Sequence, residues 1–122
     1  WFTICDPGQT FPMHYHSCSH ISWVYYIQTP GDPIVFHKKN SNEWFGDAFK
    51  FSNQYTYTNM EGYAINPKAE RLVIFPGSLE HYTTAEPRKH RRISLAGDVI
   101  LTLKDRTNSE SGLLSPQFWK HF

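Results

Sequence analysis

His14-Tyr15-His16 is the shortest stretch of this chain whose residue types and spacing could do chemistry. On an extended strand, side chains two apart project from the same face, so both imidazoles can reach one metal ion. With seven histidines in the chain, an HxH pair is a weak signal by itself. A third imidazole strengthens it: His81 follows Phe75-Pro76-Gly77, a strand end and tight turn that can hold a ligand at the mouth of a barrel. Beyond it, Arg92-Ile93-Ser94 sets a guanidinium and a hydroxyl on one face of the next strand. That pair suits a carboxylate, because the planar fork engages two oxygens and the hydroxyl adds a further donor.

These residues need rigid elements to hold them, and the sequence offers strands. Runs rich in β-branched and aromatic residues, punctuated by Pro, Gly, Asn and Asp, predict strands at 1–5, 11–16, 22–28, 34–37, 54–59, 63–65, 71–75 and 81–84. A longer one is expected at 92–103, kinked at Gly97, and one turn of helix in the tail 113–122. No window sustains apolar spacing at helical period, so no long helix is expected. Short strands with turns at this spacing favour a sandwich, barrel or jelly roll. Trp23 and Val24 read as core, and one of Tyr25 and Tyr26, which alternate faces, as pocket-lining. On the strand from Arg92, the Ile93, Leu95 and Val99 face shared with Arg91 is the more apolar one, whereas Arg92 is placed inward for its hydroxyl partner Ser94. Residues 38–62 carry an aromatic load without regular pattern, and are expected to form a lid or a cover over one face of the core.

At 122 residues the chain is long enough for one core, and a single domain spanning 1–122 is expected. A net charge of +1 implies no strong pull toward nucleic acid or membrane, the cluster Arg88-Lys89-His90-Arg91-Arg92 being the local exception. No apolar run is long enough to span a bilayer. Cys5 and Cys18 form neither a disulfide framework nor a CxxC pattern, so a reduced, cytoplasmic protein is the simpler expectation. The chain opens at Trp1, already in strand-like sequence, as a domain lacking an N-terminal part would.

The chain resembles the Fe(II)/2-oxoglutarate-dependent oxygenases, most closely a bacterial-type group within that superfamily. The resemblance runs over Trp1 to Gly8, His14-Tyr15-His16 through Ser22 to Tyr25-Tyr26-Ile27, and Pro33-Ile34-Val35-Phe36. It resumes at Arg71-Leu72-Val73-Ile74-Phe75-Pro76 with His81 and ends at Arg92-Ile93-Ser94, leaving 38–62 and the tail uncovered. It implies an all-β double-stranded β-helix (jelly roll), an Fe(II) centre, 2-oxoglutarate as cosubstrate, O2 as oxidant and hydroxylation of a prime substrate. His14 and His81 take the places of metal ligands, and Arg92 with Ser94 that of the cosubstrate's carboxylate clamp, with Tyr26 beside them. The usual middle ligand is a carboxylate two residues after the first histidine; here that position is His16. The expected set is therefore His14, His16 and His81, with Asp47 or Glu80 as alternative third ligands, and an all-imidazole set brings no negative charge to the metal.

Other readings compete. A cupin-type metal-dependent dioxygenase would share the jelly roll and need no cosubstrate, but its first motif wants a Glu that residues 17–21 lack. A non-catalytic jelly-roll binding module would make the three histidines incidental. His20, His37, His90 and His121 fit no ligand spacing and read as surface or supporting groups. The prime substrate is open among small molecules, side chains, nucleotides and sugars, and a homodimer is compatible with the sequence.

Overall fold

The computed structural model describes residues 1–37, 62–84 and 90–102. Among them there is no helix and there are seven strands: β1 (Phe2–Cys5), β2 (Ile21–Gln28), β3 (Ile34–His37), β4 (Gly62–Ile65), β5 (Leu72–Pro76), β6 (Glu80–Thr83) and β7 (Arg92–Val99). They form a four-stranded sheet in the order β1-β7-β2-β5 and a three-stranded sheet in the order β4-β3-β6. Every strand pairing is antiparallel. Two such sheets around one core are consistent with the expected jelly roll.

Period-2 alternation decides which side chains enter the space between the sheets. From β2, Ser22, Val24 and Tyr26 turn inward, paired across the ladder with Asp98, Ala96 and Ser94 of β7. Val73 and Phe75 of β5 continue those inward rows, opposite Val24 and Ser22. The smaller sheet contributes Ile34 and Phe36, paired with Thr83 and His81. Tyr26, Ile34, Phe36, Val73 and Phe75 make the buried apolar cluster, with Val24, Ile65 and Leu79 packed against it.

Several expectations are corrected. Residues 11–16 form no strand; His14 makes an isolated bridge to His81 instead. β7 ends at Val99, short of the expected 103, and its register against β2 runs without a break past Gly97. The irregularity lies in β2, between Tyr26 and Gln28. Trp23 is not core: it belongs to the outward row of β2, and a Cβ at Gly97 would fall 2.6 Å from its indole. Gly97 therefore lets the ring lie across β7 rather than bending the strand. The strand expected at 54–59, all but the last residue of the lid or cover expected at 38–62, and the tail helix lie outside the described residues.

A three-histidine cluster and a buried arginine in one cavity

Backbone pairing brings the histidines together. The amide of His14 donates to the carbonyl of His81 and the amide of His81 to that of His14, both at 2.9 Å. Directly opposed antiparallel residues put their side chains on one face, and the two rings lie 4.3 Å apart between centroids. The chain then passes through His16, whose amide donates to Gly77 O at 2.8 Å. A Cβ on Gly77 would meet the carbonyl oxygen of Ser19 at 2.3 Å, so only glycine lets the 16–20 segment close over the β5–β6 turn. The ring of His16 consequently lies parallel to that of His81, 5.4 Å away. One ring nitrogen from each of the three lies within 4.8 Å of the others.

The hydrogen bonds say which nitrogen that is. His14 Nδ1 lies 2.8 Å from Pro12 O, and His81 Nδ1 lies 2.8 Å from Leu79 O. A carbonyl only accepts, so both Nδ1 atoms carry the proton. His16 Nδ1 lies 3.0 Å from Asp98 Oδ2 and donates likewise to a carboxylate. Each ring is held by Nδ1, leaving the lone pair of Nε2 for a metal. Burial pushes the His81 imidazole pKa down, opposed by its bond to Leu79 and aided by the neighbouring His14 and His16. Its neutral form, the ligating one, is thereby favoured. For Asp98, burial alone would raise the pKa, but hydrogen bonds from Ser22 and His16 outweigh it and hold the carboxyl below its usual range.

Arg92, at the start of β7, is 4 % exposed. Its Nη2 donates to Thr83 Oγ1 at 3.1 Å and more weakly to Cys5 Sγ at 3.5 Å, and the guanidinium lies 5.5 Å from the centroid of the Phe11 ring. Its Nη1 is buried with no hydrogen-bond partner among the described residues. Neighbouring Arg91 is exposed and paired with Asp6 at 2.6 Å, so the two arginines face opposite ways and Arg92 is the inward one. Thr83 lies two residues beyond His81 on the same face of β6, about 7 Å along the strand. Arg92, Ser94, Tyr26, His14, His16 and His81 all line one cavity of about 90 Å³. One water needs roughly 10–15 Å³, so the space admits a small polar ligand. Burial raises the Tyr26 phenol to about 12, against a lowering by Arg92, so it stays protonated.

The alternative third ligands are not at the cluster. Glu80 turns to the other face of β6, 3.4 Å from His37 Nδ1, and Asp47 lies outside the described residues. His20 accepts from the amide of Leu101, and both cysteines are free. Three residues of the site escaped the sequence reading, namely Asp98, Ser22 and Thr83. Strand parity could have found two of them, since Asp98 shares a face with Arg92 and Ser94, and Thr83 with His81.

The described residues thus form an all-β, two-sheet structure in which three imidazoles that could hold a metal ion and a buried guanidinium with one unpartnered nitrogen among the described residues line one cavity. Residues 1–98 match the family described as putative 2OG-Fe(II) oxygenase, and the chain belongs to that family. No curated protein matches it.

Proposed function

We propose that this protein is an Fe(II)- and 2-oxoglutarate-dependent dioxygenase that hydroxylates a C–H bond of a prime substrate. The observation that carries the reading is the shared cavity, lined both by a three-nitrogen donor set and by Arg92, whose Nη1 is orphaned among the described residues. A buried guanidinium without an anionic partner is costly, so the site is built for an anion that arrives with the ligand. His14, His16 and His81 would hold the metal through Nε2. Arg92 would grip the distal carboxylate of the cosubstrate, with the hydroxyls of Ser94, Thr83 and Tyr26 near it. When bound, Fe(II), 2-oxoglutarate and O2 supply the oxidation: the keto acid leaves as succinate and CO2, and the second oxygen atom enters the substrate as hydroxyl.

The chain's own part is orientation and exclusion of water. Phe75 stands edge-on to His81 at 4.7 Å, and the Trp1 indole stacks on His16 at 5.6 Å, so the imidazoles are walled by aromatic surface. Tyr26, uncharged across the physiological range, can only donate to a carboxylate or accept from a neighbour. Two free cysteines and an Fe(II) requirement fit a reducing compartment such as the cytoplasm.

The all-imidazole donor set favours one other reading, a three-histidine metal dioxygenase that needs no cosubstrate. Calorimetric titration of 2-oxoglutarate into the anaerobic, Fe(II)-loaded protein separates the two. Saturable binding, with succinate formed once O2 is admitted, is the expected result. Metal binding without any 2-oxoglutarate binding would overturn the proposal in favour of the cosubstrate-free reading.

A further inference from the structure

We propose that Asp98 is a positioning residue for the metal site: it fixes the His16 ring through Nδ1 and gives an otherwise neutral imidazole set its negative charge. The inference rests on the reading that the histidine cluster binds a metal.

The three imidazoles are not held alike. Those of His14 and His81 donate to backbone carbonyls only two residues away in sequence, which a chain of almost any sequence could offer. The imidazole of His16 donates to a side-chain carboxylate 82 residues away, on the last strand of the larger sheet. Asp98 is itself held in place. Its second oxygen accepts from the hydroxyl of Ser22 at 2.6 Å, and Ser22, at 1 % exposure, is the most deeply buried polar residue described. Ser22 and Asp98 are cross-strand partners in the β2–β7 ladder, so the sheet register sets the carboxylate's position. Among the described residues it is the only carboxylate hydrogen-bonded to any of the three histidines.

A two-histidine, one-carboxylate triad places its negative charge directly on the metal. Here the carboxylate's usual position in the chain is occupied by His16, and a carboxylate stands behind that ring instead. A carboxylate accepting from Nδ1 orients the ring, fixes the tautomer and raises the basicity of Nε2, so part of its charge reaches the metal through the imidazole. Asp98 thus restores by relay what the donor set lacks.

Co(II), whose ligand-field absorption reports on donor strength, is the probe, titrated into wild type, Asp98→Asn and Asp98→Ala. The asparagine variant is isosteric: its amide oxygen can accept from His16 and its amide nitrogen can meet Ser22, so the hydrogen bonds survive and the charge does not. Loss of about 10–100-fold in Co(II) affinity is expected for Asp98→Ala, in line with other outer carboxylates at metal-bound histidines. Asp98→Asn should fall between it and wild type, with a shifted absorption band and an unchanged melting temperature of the metal-free protein. Wild-type affinity and spectrum in both variants would overturn the inference. Wild-type behaviour in Asp98→Asn alone would overturn the charge relay and leave only the hydrogen bond. If Asp98→Ala fails to fold, the isosteric variant decides. Failure of the metal reading looks different: wild type itself would not bind Co(II), or would bind it equally well after His81→Ala.

Discussion

Replacing Arg92 by methionine should leave the metal-free protein at least as stable while removing its affinity for the cosubstrate. The guanidinium is 4 % exposed and carries no ion-pair partner among the described residues. Methionine has similar length, leaves no charge to desolvate, and takes the place of a group whose burial costs several kcal/mol. Against that gain stand the bond to Thr83, worth about 1.5–3 kcal/mol for a charged donor, and the contact with Phe11, worth about 0.5–2 kcal/mol. The two sides are of similar size, so the melting temperature of the metal-free protein should be unchanged or raised by a few degrees. Cosubstrate binding should move the other way. Two charge-assisted bonds to a carboxylate at about 1.5–3 kcal/mol each amount to a loss of roughly 10²–10⁴-fold in affinity. Arg92→Lys keeps the charge but not the fork, and should lose roughly 10–100-fold. Metal affinity should hold in both variants, because Arg92 bonds to Thr83 and Cys5 and to none of the three histidines. The assays are thermal unfolding of the metal-free protein and calorimetric titration of 2-oxoglutarate into the loaded one. A methionine variant that is destabilised and still binds 2-oxoglutarate at wild-type affinity would refute the reasoning, because the guanidinium would then be a structural strut.

Other outcomes follow from the same contacts. Tyr26 ionises near the usual 10 in the unfolded chain and at about 12 in the folded one, so stability should be constant below about pH 10 and fall by about 2 kcal/mol as the pH rises to 12. Tyr26→Phe should lack that step in alkaline denaturation, and an identical profile would show the phenol to be solvated. Gly77→Ala places a methyl against the Ser19 carbonyl, so the 16–20 segment must lift and carry His16 with it; metal affinity should fall more than thermal stability does. Gly97→Ala, with its Cβ against the Trp23 ring, should cost about 1–3 kcal/mol and red-shift or broaden tryptophan fluorescence, and Trp23→Ala in the same chain should recover most of the loss.

The strands were legible because β-branched and aromatic runs bounded by turn residues leave the chain few alternatives, and β2, β3 and β6 fall within one residue of their expected bounds at each end. Residues 11–16 were not, since Pro12 removes an amide and Met13 and Tyr15 are exposed; this segment is held by β6 at Phe11 and His14 and by the turn at Gly77. The histidine positions could be read from spacing, and the resemblance supplied the pairing with His81. Asp98 could not be read as a partner of His16, because only the register of β7 against β2 shows that Ser22 and Asp98 stand side by side behind that ring. Strand parity sets Thr83 on the face of His81, but its bond to Arg92 depends on how far that side chain reaches.

β7 shows why pattern alone misleads where a sheet lines a site. Hydrophobicity would turn Ile93, Leu95 and Val99 inward and leave Arg92, Ser94 and Asp98 to solvent. The structure does the opposite at the start of the strand: Arg92 and Ser94 are buried, whereas Leu95 and Val99 are 38 % and 41 % exposed. The neighbours follow the same inversion, with Ser22 and Tyr26 of β2 inside and Phe2 of β1 and Ile74 of β5 outside at 57 % and 63 % exposure. Burying polar groups while exposing apolar ones costs free energy on both sides of the sheet, and a fold selected for stability alone would flip the register by one residue. Such a sheet is held in place by something that needs those polar groups inside. Here Ser22 and Asp98 hold the His16 ring, and under the proposed function Arg92, Ser94 and Tyr26 serve an anion. The inversion of the strand's expected faces is therefore itself a mark of the site, and a sequence reading that finds an Arg-x-Ser on the less apolar face of a jelly-roll strand should weigh that face as the inner one.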